Sequence, residues 1–339
     1  MTNQKQMLLS VLLMTTTLML FGCGGSDSSD TDVPVTEEPV TEDPVTEDPV
    51  TEEPNDMVNP DLFLSGALIS DVSTEACTLS GGTATTCYRI TIAGEPSNAE
   101  VGPFCPPSIN SDASEGGIWF DGSGELYDVD GNFIVNLPNI YGDGWQLYDA
   151  ETGLVNVTDT QLACEAAARP DVDPEYQNHC VECSLEYTGG GVSESYLIPV
   201  SPVPLSSPAQ IRSDVGVALN GVVFANAAPV NAILSNYTIA AFDDCGGHVN
   251  PVAGYHYHGS TGCTEATTEA DGHASMLGYS MDGYAIYAML DPEGNEDTDL
   301  DECRGHSDDT RGYHYHSASA AENMFIGCFQ GEQGGPAND

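Results

Sequence analysis

The chain has 339 residues, with 53 Asp plus Glu against six Lys plus Arg and a formal net charge of −47. Such an excess of acid argues against nucleic acid and anionic lipid surfaces as ligands, and favours cations or basic partners. Charged residues are only 17% of the chain and apolar ones 40%, so there is enough apolar material to bury a core.

Residues 1–22 read as an export signal. Lys5, the only lysine, opens it, and the run from Met7 to Leu20 is mostly apolar. At about 14 residues this run is too short to span a bilayer. It ends in Leu20-Phe21-Gly22-Cys23, which resembles a bacterial lipobox. The resemblance implies that Cys23 is acylated and that the mature protein is extracytoplasmic, held to a membrane through this lipid. Gly24 stands where retention in the inner membrane would call for Asp, which favours the outer membrane.

Residues 23–60 read as a tether. Pro34, Pro39, Pro44 and Pro49 each open a five-residue Pro-Val-Thr-Glu-acid unit. Regular proline excludes stable helix and central strand, and paired carboxylates extend the chain by repulsion. About 35 residues at roughly 3.1 Å each give a reach on the order of 100 Å.

The exported class fits the cysteines. Setting Cys23 aside leaves ten of the eleven, which reads as five disulfides. Cys77 with Cys87, Cys245 with Cys263 and Cys303 with Cys328 are the expected local pairs. Cys105, Cys164, Cys180 and Cys183 are left to pair among themselves, with a Cys180–Cys183 redox pair as the alternative.

From residue 61 to 208 the pattern is short strands and turns, with strands expected at Leu62–Ile69, Tyr88–Ala93, Ile118–Phe120, Phe133–Leu137 and Tyr196–Val200. One helix is expected near Thr158–Ala168, capped by Thr158 or Asp159. Trp119 and Trp145 are core candidates, and the prolines from Pro199 to Pro208 read as a connector.

Residues 209–339 carry a duplication. Cys245-Gly-Gly-His248 is followed after five residues by Gly254-Tyr-His-Tyr-His258, and Cys303-Arg-Gly-His306 by Gly312-Tyr-His-Tyr-His316 at the same spacing. Six of the eight histidines fall in these copies. Upstream, Gly216-Val-Ala-Leu-Asn220-Gly221 parallels Gly278-Tyr-Ser-Met-Asp282-Gly283, each an Asn-Gly or Asp-Gly hairpin signal of type I′. Units of about 216–263 and 278–328 follow, related by a pseudo-twofold axis. The expected fold class is mainly β, stapled by disulfides.

Aromatics favour strands, and strand side chains alternate faces. His256 and His258 therefore share one face with Cα atoms roughly 6.5–7 Å apart, and Tyr255 and Tyr257 share the other. His248 can return as a third ligand; His306, His314 and His316 form the matching triad. Neutral imidazole suits zinc and copper, the expected cofactors. Asp244, Glu302 and the tyrosines Tyr255, Tyr257, Tyr313 and Tyr315 are the candidates to support the rings from behind. Whether the two histidine faces meet in one pocket or form two sites stays open at this level.

The motif pair, with Phe242-Asp-Asp-Cys245, Leu300-Asp-Glu-Cys303 and Phe325-Ile-Gly-Cys328-Phe329, resembles the YHYH-domain family over about Gly216 to Phe329. The resemblance implies a secreted or lipid-anchored protein and brings no defined activity. Between the copies, Asp291, Glu293, Asn295, Asp297, Asp299 and Glu302 fall at the positions of an EF-hand loop and are candidate calcium ligands, although Glu296 replaces the turn glycine. Three functions compete: a metal-binding surface module, a metal-dependent enzyme with Asp243, Asp244, Asp282 or Glu302 as base, and an adhesion or structural domain.

Overall fold

In the computed structural model, which describes residues 57–265 and 267–337, the duplicated sequence builds one eight-stranded sheet. Its strands, numbered in chain order, are β1 (Gly216–Ala218), β2 (Val223–Phe224), β3 (Gly247–Asn250), β4 (Gly254–Tyr257), β5 (Met276–Ser280), β6 (Ala285–Tyr287), β7 (Gly305–Asp308) and β8 (Gly312–His316). They lie side by side as β3-β4-β2-β1-β5-β6-β8-β7. Read outward from the central antiparallel pair β1 and β5, the two halves repeat the same order. In each half comes a hairpin partner, then a parallel strand with the Tyr-His-Tyr motif, then its antiparallel edge strand. That is the expected pseudo-twofold, with its axis between Val217 and Tyr279.

The turns at Asn220-Gly221 and Asp282-Gly283 differ from the type I′ expectation. Only the glycines have positive φ, +91° at both, and Asn220 and Asp282 do not. Gly221 N–H donates to Ala218 O at 3.0 Å, while Ala218 N–H donates to Val222 O at 2.8 Å. This is a three-residue loop closed by a left-handed glycine, and Gly283 repeats it against Ser280 and Tyr284.

The segment before residue 209 packs onto this sheet. Ser195–Pro199 pairs with both Ala84–Thr91 and Gly335–Pro336, Pro204–Ala209 pairs with Phe329–Gly331, and Cys180–Val181 pairs with Ile239–Ala240. The expected connector is thus partly strand. A continuous core, with Trp119 and Tyr196 beside Phe224, Phe242 and Phe325, crosses the expected boundary at residue 208, and packing has no break there. The chain is mainly β.

Three local expectations are corrected. Phe133–Leu137 is not a strand but lies in the helix Gly131–Tyr141. Asp130 caps this helix by accepting from Phe133 N–H at 2.7 Å, and Phe133, Ile134 and Leu137 form its buried face. Leu62–Ile69 forms only a short 3-10 turn at Pro60–Leu62 and one bridge from Leu68 to Ile92. The second helix, Gln161–Ala167, forms near its expected place but is capped by Thr160. Thr158 instead ties the backbone of Glu182 through its hydroxyl.

All three expected local disulfides are present, and Cys105–Cys180 and Cys164–Cys183 complete the set. Cys180 and Cys183 therefore pair apart, which removes the redox alternative. The export signal, Cys23 and the tether up to residue 56 lie outside the described residues.

Candidate metal centre

The tyrosines fix the motif strands from behind. Tyr255 and Tyr257 are fully buried with rings 5.3 Å apart, and Tyr313 and Tyr315 repeat the pair at 5.4 Å. Tyr255 donates to Asp243 at 2.8 Å, and Tyr313 to Asp301 at 3.0 Å. Each of these aspartates also accepts from two backbone N–H groups of its own loop, Cys245 and Gly247 in one copy and Cys303 and Gly305 in the other. The motif glycine before each first histidine is required by close approach. A Cβ on Gly247 would sit 2.6 Å from the Tyr255 hydroxyl, and one on Gly305 would run into Tyr313. Deeper in, Asn220 donates to the Tyr257 hydroxyl at 2.9 Å, and Tyr315 donates to Asp282 at 2.7 Å.

This corrects two sets of roles. Asp243 and Asp282 are spent on the tyrosine face, where burial pushes both carboxyls up, so neither serves as a base for the histidines. Nor do Asp244 and Glu302 aim the rings; backbone carbonyls and Asp299 do.

On the opposite face the register sets His248 directly across from His256, and His306 across from His314. The turn between them is tightened by Asn250 in one copy and Asp308 in the other, each accepting from two N–H groups of the turn. His258 and His316 follow one residue beyond the cross-strand pair's neighbour and close each triad.

Ring orientation decides the chemistry. His256 Nδ1 meets Gly254 O at 3.0 Å and His258 Nδ1 meets Asn226 O at 2.7 Å, while His248 is bonded to the Ala240 backbone. In the second copy, His314 Nδ1 meets Gly312 O, His316 Nδ1 meets Ala288 O, both at 2.9 Å, and His306 Nδ1 meets Asp299 Oδ1 at 2.9 Å. A carbonyl or carboxylate only accepts, so each such Nδ1 carries the proton and each Nε2 presents a bare lone pair. These lone pairs face one another. His248 and His256 Nε2 are 3.2 Å apart; in the second copy the His306–His314 and His306–His316 separations are 3.0 and 3.2 Å. Burial pushes five of these imidazoles down, His314 to about 3 and His316 to about 4, with His248, His256 and His258 also lowered. Neutral rings with opposed lone pairs repel unless a cation lies between them.

The spacing fits one. Two imidazoles bonded to an ion at about 2.0–2.1 Å, at angles of about 90–110°, stand about 2.9–3.4 Å apart.

The second cluster holds a residue that sequence reasoning missed. His273 Nε2 lies 3.1 Å from His314 Nε2, with its Nδ1 against Ala274 O, making four histidines. Its only signal was its place, five residues before Gly278 at the head of the second copy. Asp297 adds an oxygen 3.3 Å from His316 Nε2. Thus Asp297 and Asp299, candidates for calcium, face histidines. Asp291 instead binds Asn295 within its own turn, and no group of convergent ligands among the described residues includes Glu293 or Glu302. The eighth histidine, His179, stands apart against Gln177 O and Tyr176.

The chain carries a YHYH domain. The family model described as YHYH protein matches residues 195–297. The match takes in the strand Ser195–Pro199, the first triad and His273, and stops before the second Tyr-His-Tyr-His. No curated protein matches, and no solved structure does.

The two clusters are separate. β4 and β8 are five strand spacings apart in the sheet, roughly 24 Å at about 4.8 Å each.

Proposed function

We propose that this protein is a membrane-tethered extracytoplasmic metalloprotein whose two histidine clusters each hold a divalent transition metal, zinc or copper. One observation carries the reading. In both clusters the ring protons are committed to backbone or carboxylate acceptors, which leaves Nε2 lone pairs aimed at one another about a ligand-to-ligand distance apart. Imidazole donors suit these ions, whereas calcium takes oxygen ligands. The acid-rich chain would keep cation concentration high near the sites. Attachment through lipid on Cys23 and the long tether would place them clear of the bilayer.

Elemental analysis of protein isolated from the periplasm should give two metal equivalents per chain, and His256→Ala with His258→Ala should give one. Protein that carries no metal and releases no heat with zinc or copper at neutral pH would leave only a histidine-lined structural domain. Separately, Cys23→Ser should move the protein from the detergent phase to the aqueous phase; continued partition with detergent would place the anchor elsewhere.

A further inference from the structure

The duplicated halves are not chemically equal. Counting back from the paired cysteines, Asp297 and Asp299 stand six and four residues before Cys303. The same positions before Cys245 are Ile239 and Ala241. Counting from the paired glycines Gly216 and Gly278, His273 stands where the first copy has Ile211. The second cluster is therefore flanked by a fourth histidine and two carboxylates. The first has three histidines and apolar residues at all three matching positions.

Ala241, the counterpart of Asp299, lines a cleft of about 180 Å³. His248 and His256 form part of its wall, with Phe104, Val172, Val181 and Ile233. An apolar cavity of about 150 Å³ takes a benzene-sized molecule, so this space suits a single ring. Its one cation, Arg169, is already held by Asp173 at 2.5 Å and by the Asp171 carbonyl at 3.0 Å, and so does not call for an anion. Glu182 also lines the cleft, with Oε2 accepting from Cys105 N–H at 3.1 Å. Burial pushes its carboxyl up, against the Cys105 hydrogen bond.

We propose that the first cluster is an open metal site whose cleft admits a small neutral ring compound bearing one nitrogen donor, while the second cluster is closed and holds its ion without exchangeable ligands. This rests on the metal reading above. Three protein ligands leave a coordination position free, and a cleft walled by two of them together with apolar side chains selects a flat, uncharged molecule. The halves have thus divided a shared scaffold into one structural ion and one ligand-accepting ion.

The test uses the full chain loaded with cobalt, whose visible spectrum reports ligand exchange, titrated with 1-methylimidazole. Two cobalt ions should bind, and the ligand should shift the spectrum of one. His306→Ala with His316→Ala should keep the shift; His256→Ala with His258→Ala should abolish it. Ala232→Phe, on the cleft wall away from the histidines, should keep both ions and weaken the ligand at least tenfold. Failure to bind cobalt at all would overturn the metal reading and this inference with it. Two bound ions with no shift, a shift at both, or an undiminished response in Ala232→Phe would overturn the inference alone.

Discussion

His256 is held neutral by burial and aimed by one carbonyl, and the same physics makes its protonation a stability term. In the unfolded chain the imidazoles protonate near the ordinary value of about 6.5. In the folded chain His314 and His316 resist until about 3 and about 4, and the first triad is lowered too. As pH falls, the unfolded state therefore takes up protons first, and the stability these groups contribute above about pH 6.5 is lost down to about pH 3–4. Chelator-treated protein should show a urea midpoint that falls between pH 7 and 4.5. His314→Gln with His316→Gln should flatten that slope; an unchanged slope would show that the rings are not buried neutral. Asp299 acts one bond further out, by orienting His306. Asp299→Asn should lower metal affinity of the second cluster about 10–100-fold and leave the first unchanged, as read by competition with a coloured chelator.

A hairpin is the unit that makes each triad. The edge strands β3 and β7 carry the first histidine only because the Asn250 and Asp308 turns set a cross-strand register in which it faces its partner. A one-residue slip would turn the rings into the tyrosine layer. That layer in turn depends on the Asp243 and Asp301 loops. Tyr255→Phe removes a buried donor to Asp243 and should destabilise by about 1–3 kcal/mol in chemical denaturation. Gly247→Ala sets a methyl against the Tyr255 hydroxyl and should cost about 1–3 kcal/mol as well. If either variant is as stable as the wild type, the tyrosine face does not hold the strand.

Across the whole molecule the clusters sit toward opposite edges of one sheet. Sites this far apart with no shared side chain behave additively. Removing His256 and His258 should leave the second cluster's affinity within about twofold of wild type. A larger change would show coupling through the central β1 and β5 strands. The five disulfides bind the segment before residue 209 internally and close each half of the sheet. Alkylation without reductant should label no cysteine between Met57 and Ala337, and two or more labels would contradict the pairing.

Sequence alone determined a good deal here, because the decisive signals are local or repeated. Alternation in Tyr-His-Tyr-His dictates which residues share a face, and duplication at fixed spacing dictates two like units. The expected pairs Cys77–Cys87, Cys245–Cys263 and Cys303–Cys328 all form, whereas Cys164–Cys183, only 19 residues apart, stayed open in sequence, because spacing does not fix pairing. Tertiary structure decided what depends on distant chain meeting. It set the clusters toward opposite edges of the sheet, because β1 pairs with β5 and places both hairpins outward. It brought His273 to His314 across 41 residues and turned Asp297 and Asp299 from a loop string into neighbours of histidine. It also gave the tyrosine face to Asp243 and Asp282, since a buried hydroxyl takes whichever acceptor the packing presents, and sequence separation does not encode that choice.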